Sequence, residues 1–343
     1  MKTLYYIGLD VHKKTIAYCI KSFNGKILDQ GVIGADRISL QAWLETIPGP
    51  WVGAMEATMF TGWIYDFLLP HATELKVAHP EMLKAIVAAK KKNDRADAEM
   101  IADLLRVNLL PESYMMPTEL RELRRMLRYR NMIVRNAVAM KNKTSGLLME
   151  VGAQYNKRKL HGKRYFNELL DKIEYVPESV KDMLRMSRSS FELFDSIQKK
   201  LVKILQHDPV ISERVNLLMS IPGVGEVTAL TWVLEIGDIE RFSNANKAVS
   251  YCGLCSAQRE SAGKEKRGPL SKKRNKHLQT VLIEAANLAP RWNVGLAEVQ
   301  AKVLSQGNRN QATIAVARRL VKYMLAVERR GTPFVVNEAV KAA

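Results

Sequence analysis

The first hundred residues alternate between short apolar runs and amphipathic segments. The apolar runs have the length of strands, about four to eight residues, and Asn24-Gly25 predicts a hairpin turn between the second and the third. The predicted strands cover residues 3–10, 15–22, 26–33, 51–56 and 75–79. The predicted helices cover residues 40–46, 62–69, 80–89 and 94–107. Three antiparallel strands followed by alternating helices and strands predict a ribonuclease H-like domain over residues 1–110.

From residue 118 onward the apolar pattern is helical. Pro111 and Pro117 bracket a predicted linker over residues 108–117. Beyond it, two stretches repeat apolar residues at steps of three, four or seven, which is the spacing of a helix-packing seam. The apolar positions are Leu120, Leu123, Leu127, Val134 and Val138 in the first stretch, and Phe194, Ile197, Leu201 and Ile204 in the second. We therefore predict a long antiparallel coiled coil over residues 118–206.

The last region, residues 208–343, is also predicted to be helical. Its helices are expected over residues 244–254, 271–288, 294–304 and 311–329. The motif Ser-Ile-Pro-Gly-Val-Gly at residues 220–225 is typical of a helix-hairpin-helix, in which Gly223 and Gly225 bring backbone N–H groups up to a phosphate. A plain glycine-rich turn between two helices explains the motif equally well. The predicted fold class is α/β in the first domain and all-α in the other two.

The chain is strongly basic. Its 343 residues include 53 Lys and Arg against 35 Asp and Glu, a formal net charge of +18. Such an excess favours nucleic acid as the partner, and an anionic membrane surface is the weaker alternative. No stretch approaches the ~18 uninterrupted apolar residues of a membrane span, so we expect no membrane association and a cytoplasmic location. Cys19, Cys252 and Cys255 imply no disulfide framework, and Cys252 and Cys255 have no second pair at zinc spacing.

Positive charge is concentrated in three segments. These are the lysines at residues 90–92, the helix that begins at residue 118, and residues 257–276, which hold eight Lys and Arg against two Glu. We expect residues 255–270 to form a loop that is mobile without a ligand. Its dense positive charge beside small residues is what the close approach of a phosphate backbone needs. The residues predicted to contact nucleic acid are Lys91, Lys92, Arg95, Arg124, Arg128, Gly223, Gly225, Lys264, Lys266, Arg267, Lys272, Lys273 and Arg274.

Four acids are candidates for one metal site. Asp10 and Glu56 each close a buried apolar run, where an acid has no capping role, and Asp94 and Asp97 share one face of a predicted helix. For Asp94 and Asp97 alone, capping of that helix is the better interpretation, but the four acids together favour a site. Hard oxygen ligands gathered at one sheet edge suit one or two Mg²⁺ ions and phosphodiester chemistry. His12 is predicted to have a surface or supporting role.

Ser261 is a candidate nucleophile in the segment Glu-Ser-Ala-Gly-Lys. The cations that follow it suit the negative charge of a pentavalent phosphate transition state. A serine hydroxyl needs a base or a metal to activate it, and within this segment Glu260 is the candidate base. A serine in a loop is by itself more often structural, so a catalytic role for Ser261 depends on the metal-binding acids.

Five short motifs resemble a known family of enzymes. They are Ile-Gly-Leu-Asp-Val-His-Lys at residues 7–13, Met-Glu-Ala at 55–57, Lys-Asn-Asp-Arg-Ala-Asp-Ala at 92–98, Ile-Pro-Gly-Val-Gly at 221–225 and Glu-Ser-Ala-Gly-Lys at 260–264. In this order they resemble the DEDD transposases of bacterial insertion-sequence family one-ten, which are bridge-RNA-guided recombinases. The resemblance covers most of the chain. It implies a RuvC-like nuclease domain, a coiled-coil middle and a C-terminal transposase domain with a nucleophilic serine.

The resemblance also implies particular catalytic residues and partners. The catalytic residues carried over by position are Asp10, Glu56, Asp94, Asp97 and Ser261. The family's serine loop usually reads Ser-Ser-Gly-Gly, whereas Glu260 and Ala262 replace its first Ser and first Gly here. The implied partners are donor and target DNA, a structured guide RNA, and further copies of the chain in a dimer or tetramer. In such an assembly the acids of one subunit face the serine of another.

Two other functions stay open on the residues alone. A hydrolytic RuvC-like nuclease acting on branched DNA uses the four acids and leaves Ser261 incidental. A non-catalytic nucleic-acid-binding protein uses only the basic surfaces. Both predict that binding to nucleic acid weakens steeply with salt.

Overall fold

The structure is a computed structural model that describes residues 4–86, 93–261 and 263–335. For residues 259–261 and 264–267 it describes the backbone alone. The chain divides into two compact units, Met1–Thr118 and Glu119–Ala343. The first unit ends where the predicted linker ends, and the further division of the chain between residues 206 and 208 stays a prediction.

The first unit is built on a mixed five-stranded sheet. Its strands are β1 (Tyr5–Val11), β2 (Thr15–Lys21), β3 (Ile27–Gly34), β4 (Trp51–Glu56) and β5 (Glu74–Ala78). They lie in the order β3-β2-β1-β4-β5, with β1 antiparallel to β2 and parallel to β4. The helices are α1 (Arg37–Leu44), α2 (Thr61–Leu68), α3 (Pro80–Ile86) and α4 (Asp94–Arg106). The predicted α/β architecture is confirmed, and the strand order agrees with a ribonuclease H-like fold.

The two faces of this sheet carry different side chains. One face bears large apolar residues, among them Ile7, Leu9 and Met55, which share a buried cluster with Leu40 of α1 and Ile64 of α2. Successive side chains along a strand point to opposite faces. The residues between these large ones therefore face the other side, where α4 packs.

Small residues allow α4 to lie very close to the sheet. A Cβ atom on Gly8 would lie 2.5 Å from the backbone nitrogen of Ala102, so only glycine fits at this position of β1. Ala17 and Cys19 of β2 pack with Ala98 of α4 in the same layer. The first turn of α4 is thereby brought to the end of β1.

A buried ion pair fixes α4 along β2. Lys21 Nζ, on a side chain that is 4% exposed, lies 2.9 Å from Glu99 Oε1 and 2.6 Å from Asp103 Oδ2. Because a buried ammonium without its partners is costly, α4 cannot slide along β2 without a large loss of stability. The start of α4 is therefore held in one place relative to β1.

The second unit is mainly helical in its described residues. Its helices are α5 (Thr118–Glu150), α6 (Lys163–Lys172), α7 (Glu178–Gln206), α8 (Ser212–Met219), α9 (Glu226–Ile236), α10 (Ala245–Tyr251), α11 (Lys276–Leu288), α12 (Val294–Leu304) and α13 (Arg309–Arg330). Within the described parts of the chain, no helix has the length and apolar character needed to cross a membrane.

The two long helices, α5 and α7, run antiparallel. Arg130 of α5 donates to Gln198 Oε1 at 3.0 Å, and farther along α5 the Lys141 ammonium lies 4.5 Å from the ring centre of Phe191. Residue numbers rise along α5 as they fall along α7, as an antiparallel pair requires. The knobs-into-holes packing of a coiled coil stays a prediction.

Residues 256–270 contain a β-hairpin, so the prediction of a loop over residues 255–270 is wrong. Strands β6 (Ser256–Ser261) and β7 (Lys264–Leu270) pair antiparallel, with Ser261 opposite Lys264. Gly263 has a φ of 74°, the left-handed conformation that tight hairpin turns need. Six of the thirteen residues in these strands are charged, and Lys and Glu have low strand propensity, which is why the sequence pattern did not indicate them.

The glycine motif at residues 220–225 joins α8 to α9. Gly223 has a φ of 96°, and an added Cβ atom would lie 2.6 Å from Ala289 Cα, so this glycine is needed for backbone packing. Gly225 is the N-cap of α9, and the first turn of that helix contains Glu226, an acid that already complements the helix dipole. Packing explains Gly223, and phosphate binding by this turn stays a prediction.

Candidate active site

Asp10 lies near the end of β1, the central strand of the sheet, and is 6% exposed. It follows Gly8 by two residues and therefore points to the face that α4 covers. The residues of β1 that precede Asp10 are uncharged. The Asp10 carboxylate is therefore the first charged group along this strand, and it lies near the strand's end.

His12 joins Asp10 to Asp94. Its Nε2 lies 3.2 Å from Asp10 Oδ2 and 3.5 Å from Asp94 Oδ1. Ligand atoms from these three side chains all lie within 4.8 Å of one another. A tight turn holds His12 in place, because its backbone N–H donates to the carbonyl of Thr15 at 2.9 Å. The sequence predicted only a surface or supporting role for His12, whereas the structure places it in contact with both acids.

Asp94 and Asp97 lie in the first turn of α4, but neither caps it. The N-cap is Asn93, whose side chain accepts a hydrogen bond from the Arg95 N–H at 3.1 Å. The interpretation of the two acids as caps is therefore wrong. As first-turn acids they still complement the helix dipole. Asp94 is left exposed beside His12, and Asp97 is half-buried one turn further along.

Glu56 closes β4, the neighbour of β1. The parallel pairing places Leu9 opposite Met55, and Asp10 and Glu56 come next on their strands. Since Met55 points to the large-residue face, Glu56 points to the α4 face. The end of β4 is fixed by Thr61, whose hydroxyl donates to the Glu56 carbonyl at 2.9 Å. Glu56 thus shares the face and the sheet edge with Asp10, while the close contacts at this edge are those of Asp10, His12 and Asp94.

The electrostatics of Asp10 reflect this crowding. Burial raises the pKa of its carboxyl, the positive charge of a protonated His12 lowers it, and the negative charges of Asp97 and Asp94 raise it. The pKa is raised overall. Like charges gathered in a partly buried place favour protonation or a bound cation.

These residues fit a divalent metal ion. The carboxylates of Asp10 and Asp94 are hard oxygen ligands already close together, and Asp97 is near enough to perturb Asp10. Glu56 adds a fourth carboxylate on the same face. His12 supplies a nitrogen that can ligate the ion or orient its ligands.

Ser261 ends β6 in the second unit, two residues before the turn glycine Gly263. Its backbone position on the hairpin is described, and its side chain lies outside the described atoms. The same holds for the side chains of Lys264, Lys266 and Arg267 on β7, which the sequence predicts to bind nucleic acid.

The other predicted nucleic-acid contacts have different environments. The exposed ones are Arg95, Lys272, Lys273 and Arg274, whereas Lys91 and Lys92 lie outside the described residues. Arg124 is half-buried, and burial lowers its pKa. Arg128 has an intramolecular partner, because its Nε and Nη2 donate to the two carboxylate oxygens of Glu235, each at 2.8 Å. The Arg128 side chain is nevertheless 47% exposed, and its contact with nucleic acid stays a prediction.

Two family models match the chain. Residues 7–152, which contain all four acids, match a DEDD transposase model of the IS110 type. Residues 215–300, which contain the hairpin and Ser261, match the model described as transposase IS116/IS110/IS902 family.

Curated proteins with related sequences match between about half and nearly all of the chain. The transposase for insertion sequence element IS1111A of Coxiella burnetii is 25% identical over 331 residues, 93% of this chain and 88% of the relative. The transposase for insertion sequence element IS1328 of Yersinia enterocolitica is 24% identical over 342 residues, 97% and 99% of the two chains. The pilin gene-inverting protein of Moraxella bovis is 26% identical over 184 residues, 53% of this chain and 56% of the relative.

Proposed function

We infer the function from the premise that this chain belongs to the IS116/IS110/IS902 family of transposases and is an enzyme that acts on DNA. We propose that it excises and inserts a mobile element by cleaving DNA strands and rejoining them. The observation that carries this proposal is the contact of Asp10, His12 and Asp94 within the segment that matches the DEDD transposase model.

In this proposal Asp10, Glu56, Asp94 and Asp97 hold Mg²⁺. When bound, the ion activates a hydroxyl group and stabilises negative charge on the phosphate oxygens. The chain's own contribution is to keep the carboxylates in place. Gly8 lets α4 approach β1, and Lys21 fixes α4 through its two acids.

Ser261 is the proposed nucleophile. Its Oγ forms a bond to a DNA phosphorus, and the bond from that phosphorus to one deoxyribose oxygen breaks. The serine proton passes to a base, for which Glu260 is the candidate within the hairpin, and the leaving oxygen takes up a proton. The phosphoserine link keeps the energy of the phosphodiester, so a hydroxyl of another DNA end can attack it and release Ser261.

The proposed partners extend beyond one DNA duplex. Donor and target DNA are both substrates of an excision and insertion reaction. A structured guide RNA and a homo-oligomer, dimer or tetramer, are proposed from the resemblance of the five motifs. The net charge of +18 suits a protein that holds several nucleic-acid backbones.

An excision assay in cells tests this function. The chain is expressed with its flanking DNA, and loss of the element from a reporter is measured. We expect Asp10→Asn and Ser261→Ala to abolish excision, and Ser256→Ala, a serine at the base of the same hairpin, to retain it. DNA breaks at the element ends, mapped in the same cells, that persist in Ser261→Ala but not in Asp10→Asn would indicate a hydrolytic nuclease. Full activity of Asp10→Asn would indicate a non-catalytic binding protein.

A further inference from the structure

The serine hairpin, residues 256–270, depends on its base for a fixed position. Among the described residues, β6 and β7 pair only with each other. An isolated two-stranded hairpin is marginally stable in water. The segments on either side of the hairpin, residues 251–255 and 271–279, must therefore determine where it points.

Hydrogen bonds tie these two segments together. The Ser271 N–H donates to the Cys255 carbonyl at 3.0 Å, and the Asn275 N–H donates to the Tyr251 carbonyl at 3.0 Å. Gln279, at the end of the second segment, donates from Nε2 to the carbonyl of Gly253 at 2.7 Å. These three hydrogen bonds join the segment before the hairpin to the segment after it.

Both segments then converge on Glu235 of α9. Asn275 Nδ2 donates to Glu235 Oε2 at 2.8 Å, and the Tyr251 hydroxyl donates to the backbone carbonyl of Glu235 at 3.1 Å. Asn275 also caps α11, since its Oδ1 accepts from the N–H groups of His277 and Leu278. One residue of α9 therefore contacts the segment before the hairpin and the segment after it.

Arg128 of α5 holds Glu235 from the other side. Its guanidinium forms a two-pronged pair with the carboxylate, whose side chain is 0% exposed. A fully buried carboxylate is tolerated only with partners, and a guanidinium fork fixes its orientation as well as its charge. Arg128, Glu235 and Asn275 form a chain of contacts from α5 to the base of the hairpin, which we call the hairpin clamp.

We propose that Glu235 is a positioning residue for the reaction, because the hairpin clamp fixes the base of the serine hairpin and with it the location of Ser261. This inference rests on the proposed role of Ser261 as nucleophile. Ser261 lies five residues beyond Ser256, roughly 17 Å along the strand, so a tilt of about 5° at the base moves the tip by about 1.5 Å. A misplacement of about 1 Å can lower a reaction rate by about 100-fold.

Hydrogen exchange of the 343-residue chain tests the clamp directly. Glu235→Gln keeps the shape of the side chain and removes its charge. The matched control is Glu328→Gln, because Glu328 is 3% exposed and accepts from Arg214 Nε and Trp232 Nε1, each at 2.7 Å, in the same unit. We expect Glu235→Gln to speed exchange of the hairpin amides at least about tenfold and to leave the strands of the first unit unchanged. Glu328→Gln should leave the hairpin amides unchanged.

The outcomes separate the clamp from the proposed chemistry. Unchanged hairpin exchange in folded Glu235→Gln overturns the inference, and so does an equal acceleration in Glu328→Gln. If Glu235→Gln does not fold, Arg128→Lys replaces it, since it keeps the charge and loses the fork, and the same exchange result is required. Faster hairpin exchange in Glu235→Gln, combined with no DNA adduct on Ser261 in the wild type, supports the clamp and overturns the nucleophile.

Discussion

Gly8 of β1 lies directly against Ala98 of α4, so that a Cβ atom on Gly8 would overlap the Ala98 carbonyl oxygen. This contact brings the first turn of α4, with Asp94 and Asp97, to the strand end that carries Asp10. The metal site proposed here depends on a residue that contributes no ligand.

Replacement of Gly8 by alanine should therefore disturb both stability and the site. We expect Gly8→Ala to lower the free energy of unfolding by about 1–3 kcal/mol, because α4 must move away from the sheet. The control is Gly146→Ala on α5, where an added Cβ meets nothing within 4 Å and should stabilise the helix by about 0.5–1 kcal/mol. Urea unfolding measures both changes, and an unchanged stability of Gly8→Ala would contradict the close packing.

His12 should matter for metal affinity. It contacts Asp10 and Asp94 together, so His12→Asn is expected to weaken Mg²⁺ binding by about 10- to 100-fold, the usual cost of losing a residue that orients metal ligands. Isothermal titration of the purified protein measures this affinity. His71→Asn is a suitable control, since His71 lies in a 3-10 turn outside this cluster. Equal Mg²⁺ affinity in His12→Asn and wild type would show that His12 has no part in the site.

The hairpin clamp predicts a specific dependence of stability on pH. Burial alone raises the pKa of Glu235, but hydrogen bonds and charge from Arg128, with Asn275 and His277, outweigh it and leave the pKa below its ordinary value of 4.5. The charged clamp therefore stabilises the fold fully above about pH 4.5, and this contribution is lost as pH falls through the folded-state pKa. The difference in unfolding free energy between wild type and Glu235→Gln should shrink in acid. A difference that is constant from neutral pH down to about pH 3 would contradict this prediction.

The three cysteines should differ in reactivity. Burial raises the pKa of the Cys19 thiol to about 11 and also raises that of Cys252, and both residues are 0% exposed. Cys255 is partly exposed at the base of the serine hairpin. Iodoacetamide at about pH 8 should thus label Cys255 first, and Cys19 and Cys252 only after unfolding. Peptide mass spectrometry reads out the order, and early labelling of Cys19 would show that α4 does not stay packed on β2.

Local signals predicted much of the first unit. Apolar runs and the Asn24-Gly25 turn indicated the strands, and the acids that close two of them, Asp10 and Glu56, lie on one face of the sheet as expected. The contact of His12 with Asp94 was not predicted, because it depends on how closely α4 approaches the sheet. Gly8 was the available signal, since a glycine inside a buried strand often marks a close backbone approach.

The second unit was harder to predict. The serine hairpin was missed because backbone pairing overrides the low strand propensity of its charged residues. The pairing of Arg128 with Glu235 was not predicted, since a sequence does not reveal a partner 107 residues away. A signal did exist in Glu235, the one charged residue within the stretch 229–236, because a buried charge requires a partner.

The most direct test of the proposed function is a search for DNA on Ser261. The chain is expressed with its flanking DNA, isolated under denaturing conditions and digested with nuclease, and the peptide containing residue 261 is analysed by mass spectrometry. We predict a nucleotide attached to Ser261 in the wild type and no adduct in Asp10→Ala, because the serine and the acids act in one reaction. Excision of the element in the same cells without any adduct on Ser261 would contradict the covalent mechanism.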